Sequence, residues 1–136
     1  MSNSQKQPVV QNKIKFVKFF VKSLKFKNEK DDESDVSEDL DIVLNVSSGF
    51  NDENDRDYLI NFKLEVKSKE EDLLIKVNAV GLFSAMDAIT EEFKESSFVK
   101  VSSPAIAFPF LRSYVNTITS NSGISPIILP SFNFTK

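Results

Sequence analysis

Three segments of the chain alternate between apolar and polar residues with a period of two. They cover residues 40–46, 58–66 and 73–79. A period of two places every second side chain on the same face of a β-strand. Residues 47–57 and 68–71, which separate these segments, are rich in polar residues typical of turns. The pattern therefore predicts an antiparallel meander of three strands with one buried face.

Residues 1–8 are polar and are predicted to be a disordered tail. The pattern of residues 9–27 is compatible with either a helix or a strand. As a helix, residues 9–27 would present one apolar stripe among lysines, as in a helix that lies on a membrane surface. The density of Phe and Val favours a fourth strand. In such a strand the apolar residues change face twice, which predicts one or two β-bulges. The successive groups are Ile14 and Phe16, then Val17, Phe19 and Val21, then Leu24 and Phe26.

A long helix is predicted to begin near Ser103. This residue type is a good N-cap, and Pro104 would occupy the first helical position, where its missing N–H is tolerated. Pro109 is expected to bend the helix near its start. Gly123 fits a C-terminal cap, and the prolines beyond it predict an extended apolar strap. A short helical turn is predicted within residues 90–98. The apolar stripe of the long helix is predicted to comprise Phe110, Tyr114 and Ile118, with Leu111 and Val115 beside it.

Composition excludes several kinds of chemistry. The 136 residues contain no cysteine and no histidine, which excludes disulfides, thiolate metal sites and Ser–His or Cys–His nucleophiles. Acidic clusters at residues 52–57, 70–72 and 91–92 fit solvated turns and a helix start better than metal or acid–base sites. We therefore expect no enzyme activity, cofactor or metal ion. The absence of cysteine suits a reducing cytoplasm, and the chain has no apolar run long enough for a membrane span and no recognisable signal peptide. The protein is therefore expected to be cytoplasmic.

Charge is distributed unevenly along the chain. Residues 1–30 carry eight Lys and one Glu, whereas residues 31–57 carry eleven acidic residues and one Arg. Lysines interleaved with Phe in the first block are also compatible with a basic arm that binds nucleic acid or a membrane surface. The acidic pI of about 5.0 argues against such binding as the main function.

Motifs in the C-terminal half resemble the SecB family of export chaperones. The segment Gly81-Leu82-Phe83, predicted to end the sheet, resembles the family's Gly-Ile-Phe after its last strand. The helix start resembles the family's Pro and Phe-Pro-Tyr-x-Arg motif, and the strap resembles its Pro- and Leu-rich segment that closes with Pro-x-Asn-Phe. The second strap proline falls one residue early. The matching residues are Pro104, Phe108, Pro109, Phe110, Arg112, Pro126, Leu129, Pro130, Asn133 and Phe134.

The resemblance implies an α+β fold with a four-stranded antiparallel sheet, a long helix and an extended C-terminal strap. One domain would span residues 9–136. It also implies a homotetramer, a dimer of dimers in which first strands pair and the long helices lie between dimers. Apolar grooves would hold non-native polypeptide without ATP.

Client contact is predicted at apolar residues of the first strand, of the segment beyond the last strand and of the strap, with the hydrophobic core as the alternative location for each. Tyr114 and Asn116 are candidates for the interface between subunits. The predicted client-binding residues are Phe16, Phe19, Phe20, Val21, Leu82, Phe83, Phe132 and Phe134.

The chain departs from the family pattern at three places. It stops two residues after Phe134, where the family usually continues into a helix, and its loop at residues 28–39 lacks aromatic residues. Ser23, Lys27 and Lys76 occupy positions at which the family uses acidic residues to bind the zinc tail of SecA, whereas Leu74 keeps the apolar character. We therefore do not expect SecA as a partner. A dedicated chaperone of an antitoxin, in a toxin–antitoxin system, is the alternative to general export.

Overall fold

A computed structural model describes residues 14–29 and 39–135 and shows a four-stranded antiparallel sheet followed by a long helix and an extended strap. The predicted tail at residues 1–8 and most of the acidic loop lie outside the described residues. The strands are β1 (Ile14–Asn28), β2 (Leu40–Asn51), β3 (Asn54–Ser68) and β4 (Leu73–Ala85). This architecture confirms the predicted fold class.

The strands lie in the order β1-β4-β3-β2. β2, β3 and β4 form the predicted meander, and β1 crosses to pair antiparallel with β4 rather than with its sequence neighbour β2. This is a Greek-key type of connection. The sheet therefore has β1 and β2 as its edges in the described structure, with β3 and β4 in its centre.

The strands are longer than the alternating pattern predicted. β2 and β3 pair as far as the contact between Asn51 and Asn54, so residues 47–57 are mostly strand. Asn51 accepts a hydrogen bond from the Glu53 backbone N–H, which tightens this turn. β4 continues to Ala85 because β1 pairs with it along this length. The expectation that Gly81 marks the end of the sheet is therefore wrong.

The predicted bulges in β1 are confirmed. The register shifts between Phe16 and Lys18 and again between Val21 and Ser23. The first bulge returns Phe19 to the face that carries Phe16, because one inserted residue inverts the alternation. Phe16 and Phe19 therefore share a face, whereas the sequence pattern had placed them on opposite faces. The strand interpretation of this segment is confirmed, and the membrane-surface helix is excluded for residues 14–28.

Two helices and a π-helical segment follow the sheet. Helix α1 (Glu91–Lys94) is capped by Thr90, whose Oγ1 accepts a hydrogen bond from the Phe93 N–H at 3.0 Å. A π-helical segment (Phe98–Ser102) runs directly into helix α2 (Ser103–Ser120). The prediction that Ser103 caps a free helix start is therefore wrong, because the residues before it are already helical.

Helix α2 packs against the sheet through a stripe one position away from the predicted one. Ala107, Leu111 and Val115 are buried, whereas Phe110 is 47% exposed. A Cβ at Gly81 of β4 would lie 2.9 Å from the Ala107 Cβ. The helix approaches β4 closely here because both residues are small, and this contact sets the rotation of the helix about its axis.

The strap begins after Gly123, whose φ of +82° is the left-handed conformation that favours glycine. Buried Thr119 holds it to the helix: its Oγ1 donates to the Val115 carbonyl at 2.8 Å and accepts from the Ile127 N–H at 2.9 Å. Ile127 and Leu129 are buried, whereas Ile128 between them is 72% exposed. The strap is therefore extended, as predicted, and part of the core.

Candidate functional site

An apolar groove lies between the edge of the sheet, the start of α2 and the end of the strap. Its volume is about 290 Å³, and we call it the strap groove. Ser47, Ser48, Lys100 and Asn133 supply its polar lining. The apolar lining residues are Val46, Ile60, Val99, Pro104 and Phe134.

Aromatic contacts hold the strap side of this groove. The ring of Phe108 on α2 lies 5.3 Å from the Phe132 ring and 6.0 Å from the Phe134 ring, both in edge-on orientations. The guanidinium carbon of Arg112 lies 5.3 Å from the centre of the Phe108 ring. Phe132 and Phe134 are half-buried. Their contacts with Phe108 hold the end of the strap against α2.

The sheet side of the groove continues along β2. The inward-facing side chains of this edge strand pack against the core but are only partly buried. An edge strand has a neighbour on one side alone, so its apolar side chains stay accessible unless another element covers them. The partly buried residues are Leu40, Ile42, Leu44 and Val46.

A second apolar surface lies where β1 meets α2, and we call it the edge patch. The Phe110 ring lies 5.0 Å from the Phe16 ring and 5.9 Å from the Phe19 ring. Leu24 on β1 and Ile106 on α2 are each 42% exposed. These five residues define the edge patch, which lies on the helix-bearing face of the sheet because Phe16 pairs opposite buried Phe83.

The predicted client-binding residues divide among different parts of the fold. Phe16, Phe19 and Val21 point towards the helix, and Phe132 and Phe134 belong to the strap. Phe20 and Leu82 lie on the opposite face of the sheet, where Phe20 pairs opposite Val80. These seven residues keep some exposed surface.

Phe83 must be removed from the predicted site. Its exposed fraction is 0%, and its ring is stacked against the Tyr58 ring at 5.4 Å and covered by the Phe16 ring at 5.2 Å. A residue enclosed in this way belongs to the core, which was the stated alternative. A client would reach it only after the first strand had moved away.

The two predicted interface residues lie on the partly exposed surface of α2. Tyr114 packs at the margin of the core, and Asn116 is half-buried. The Asn116 carbonyl accepts a hydrogen bond from Thr119 Oγ1 at 3.1 Å. Their contact with another subunit stays a prediction.

Phe110 and Ile106 are accessible residues that sequence reasoning missed. The helical pattern predicts Phe110 in the apolar stripe. It gives no indication that Ile106 is accessible, because the neighbouring residues are also apolar. The spacing of four residues between them was the available signal, since it puts both side chains on the same side of a helix.

The described residues show little sign of acid–base chemistry. Burial raises the pKa of Tyr58, and the hydrogen bond to Ser103 lowers it by a smaller amount. A hydrogen bond from Lys100 lowers the pKa of exposed Glu95. Residues 14–29 and 39–135 contain no group of three or more His, Cys, Asp or Glu side chains placed to hold a metal ion. The helices in these ranges are too short or too polar to cross a membrane.

Sequence comparison identifies relatives across nearly the whole chain. The profile of a family described as preprotein translocase subunit SecB matches residues 5–136. A protein of Methanocaldococcus jannaschii is 25% identical over 124 residues, covering 88% of this chain and 79% of that protein. A protein-export protein SecB of Roseobacter denitrificans is 28% identical over 123 residues, covering 85% and 72% of the two chains.

A solved structure has the same fold. It is the SecB-like chaperone Rv1957 of Mycobacterium tuberculosis, in complex with a ChAD peptide from the HigA1 antitoxin Rv1956. The two chains superpose with a TM-score of 0.70 over 92% of this chain and 91% of the other, at 11% sequence identity. At that identity the similarity establishes the fold alone.

Proposed function

Because the chain belongs to the SecB family, we propose that this chaperone is a holdase that binds non-native polypeptide in the strap groove without ATP. The observation that carries the proposal is an apolar groove whose walls are held by the fold but not filled by it. Family membership also agrees with the absence of enzyme activity expected from the sequence.

The groove suits an extended peptide of variable sequence. Its lining combines an aromatic ring, a proline and branched aliphatic side chains, with Lys100 and Asn133 at its polar margin. Burial of apolar area favours association and is non-directional, so it does not require one client sequence. The half-exposed side chains of β2 extend the same surface, so one client could make several weak contacts that add up to useful affinity.

A test of the groove compares two substitutions in the strap. Phe134→Asp places a charge in the groove, whereas Ile128→Asp places the same charge on a side chain that is already 72% exposed. We expect Phe134→Asp to lose suppression of aggregation of a denatured client, with no ATP present, and Ile128→Asp to retain it. Equal suppression by both variants would contradict a role for the strap groove.

A second variant separates lost binding from a loosened strap. Ser48 is exposed, lines the groove and pairs opposite Ile60. Ser48→Trp would fill the groove without removing any core contact. We expect unchanged thermal stability together with weaker client binding, and full client binding by a folded Ser48→Trp protein would overturn the proposal.

An antitoxin is the second candidate client. The observation that favours it is the shared fold with a SecB-like chaperone whose structure contains an antitoxin peptide. The protein would then protect one aggregation-prone antitoxin rather than many exported proteins. Identification of the proteins that copurify with the chain by mass spectrometry distinguishes the two: one antitoxin supports the second candidate, and many exported precursors contradict it.

We further propose a cytoplasmic homotetramer, a dimer of dimers in which Tyr114 and Asn116 contact another subunit. The half-buried positions of both residues on α2 support this assignment. Sedimentation of the wild type and of Tyr114→Asp tests it, because a charge at a subunit contact should shift the distribution towards smaller species. An identical distribution for both proteins would exclude Tyr114 from the interface.

A further inference from the structure

The sheet face opposite the helix carries an excess of lysines. The cross-strand register assigns alternate residues of all four strands to this face, which we call the outer face. Lys27 and Lys67 form ion pairs with Glu29 and Glu71. The lysines of the face are Lys15, Lys18, Lys25, Lys27, Lys63, Lys67 and Lys76, and its carboxylates are Asp41, Asp57 and Glu65.

Two of these lysines oppose each other directly. Lys25 of the edge strand β1 pairs with Lys76 of β4, and both are exposed. Like charges in directly opposite positions destabilise a pair of strands. Within the described residues neither lysine forms an ion pair, although Glu65 is the neighbour of Lys76 on the other side. Two lysines therefore share one neighbouring carboxylate, which leaves a net positive charge at this part of the face.

Apolar side chains lie on the same face, nearer to Lys18 than to Lys25 and Lys76. Leu59 pairs opposite Leu82 on this face, and Phe20 of β1 lies opposite Val80, which is buried. The Lys18 ammonium lies 5.3 Å from the centre of the Phe20 ring. Lys18 pairs opposite Leu82, and Leu74 pairs opposite Lys27, so the outer face interleaves lysines with apolar side chains.

We propose that the outer face is a second binding surface, for a polypeptide segment that carries acidic side chains next to apolar ones. Its lysines would attract the carboxylates, and the apolar side chains beside them would contact the apolar side chains of the segment. A nucleic acid fits less well, because its uniform negative charge would meet Asp57 and Glu65 and would leave the apolar side chains without a partner. This surface lies on the other side of the sheet from the strap groove, so both could be occupied together.

The test uses a fluorescein-labelled peptide in which a run of Glu is followed by Phe and Leu, with fluorescence anisotropy as the readout. We expect saturable binding that weakens as salt is added and that is absent for the same peptide with Gln in place of Glu. Lys25→Glu should weaken binding about tenfold, which corresponds to about 1.4 kcal/mol. Lys69→Glu, the same charge change in an exposed turn residue, should leave binding nearly unchanged.

Stability provides an independent readout. Lys25→Glu replaces a like-charge pair with an opposite-charge pair across β1 and β4, so its thermal midpoint should equal or exceed that of the wild type. Aggregation suppression through the strap groove should persist, which separates failure of this inference from failure of the proposed holdase function. Equal peptide binding by Lys25→Glu and wild type would overturn the inference. Tighter Lys25-dependent binding to duplex DNA, or to phosphatidylserine vesicles, would do so as well.

Discussion

The hydroxyl of Tyr58 on β3 donates a hydrogen bond to Ser103 Oγ at the first residue of α2, across 2.7 Å. Tyr58 must be the donor, because the Ser103 hydroxyl donates its own hydrogen to the Phe98 carbonyl at 2.6 Å. Tyr58 is 2% exposed and Ser103 is 0% exposed. This buried chain of hydrogen bonds connects the centre of the sheet to the junction between the π-helical segment and α2.

Removal of the Ser103 hydroxyl is expected to lower the free energy of unfolding more than removal of the Tyr58 hydroxyl. Ser103→Ala would leave the Tyr58 hydroxyl buried without its partner, at a cost of about 1–3 kcal/mol in free energy of unfolding. Tyr58→Phe removes only a donor, and Ser103 keeps its bond to Phe98, so about 0.5–1.5 kcal/mol is expected. Urea unfolding of both variants and of the double variant would measure these values. A larger loss in Tyr58→Phe than in Ser103→Ala would contradict this assignment of donors.

Alkaline pH should weaken the fold through Tyr58. Burial raises its pKa above the ordinary 10.0, so the folded state holds the phenol proton more tightly than the unfolded state. The resulting stability is complete below pH 10, falls as pH rises above 10, and is lost once pH passes the folded-state pKa. Thermal unfolding measured from about pH 8 to pH 11 should show a smaller alkaline decrease for Tyr58→Phe than for wild type. Parallel decreases in both proteins would assign the alkaline effect to other groups.

Gly81→Ala should destabilise the packing of α2 on the sheet. The added Cβ would meet the Ala107 Cβ at 2.9 Å, and the Phe83 ring at 3.3 Å limits its escape. Overpacking of this kind costs about 1–3 kcal/mol, which denaturant unfolding would measure. Adding Ala107→Gly should restore part of the loss, because it removes the opposing atom. Failure of that rescue would show that the helix contact is not the cause.

Thr119→Val should release the strap from α2. The substitution keeps the shape of the side chain but leaves the buried Ile127 N–H without its acceptor, at a cost of about 1–3 kcal/mol. Thr119→Ser keeps the hydroxyl and serves as the control. Hydrogen exchange at Ile127 should accelerate in Thr119→Val and change little in Thr119→Ser. Unchanged exchange in both variants would mean that Leu129 and the aromatic contacts hold the strap by themselves.

Sequence patterns predicted the elements better than the surfaces. The alternation of β2, β3 and β4 identified the strands, because one buried face imposes a period of two. The two bulges of β1 were also visible in its pattern. The predicted client-binding set mixed both faces of the sheet, however, and included core residue Phe83. Which side of β1 faces the helix depends on its pairing with β4, a contact between distant parts of the chain.

Periodicity, proline and glycine act through local backbone geometry, so they were enough to predict four strands, a long helix and an extended strap. The pairing of β1 with β4 and the partial exposure of Phe110 depend instead on how the elements pack against each other. The helix turns towards the sheet where Ala107 meets Gly81, and that close approach leaves Phe110 against the rings of Phe16 and Phe19. A contact between residues far apart in sequence leaves no periodic trace along the chain, so the accessible surfaces emerge only when the elements pack.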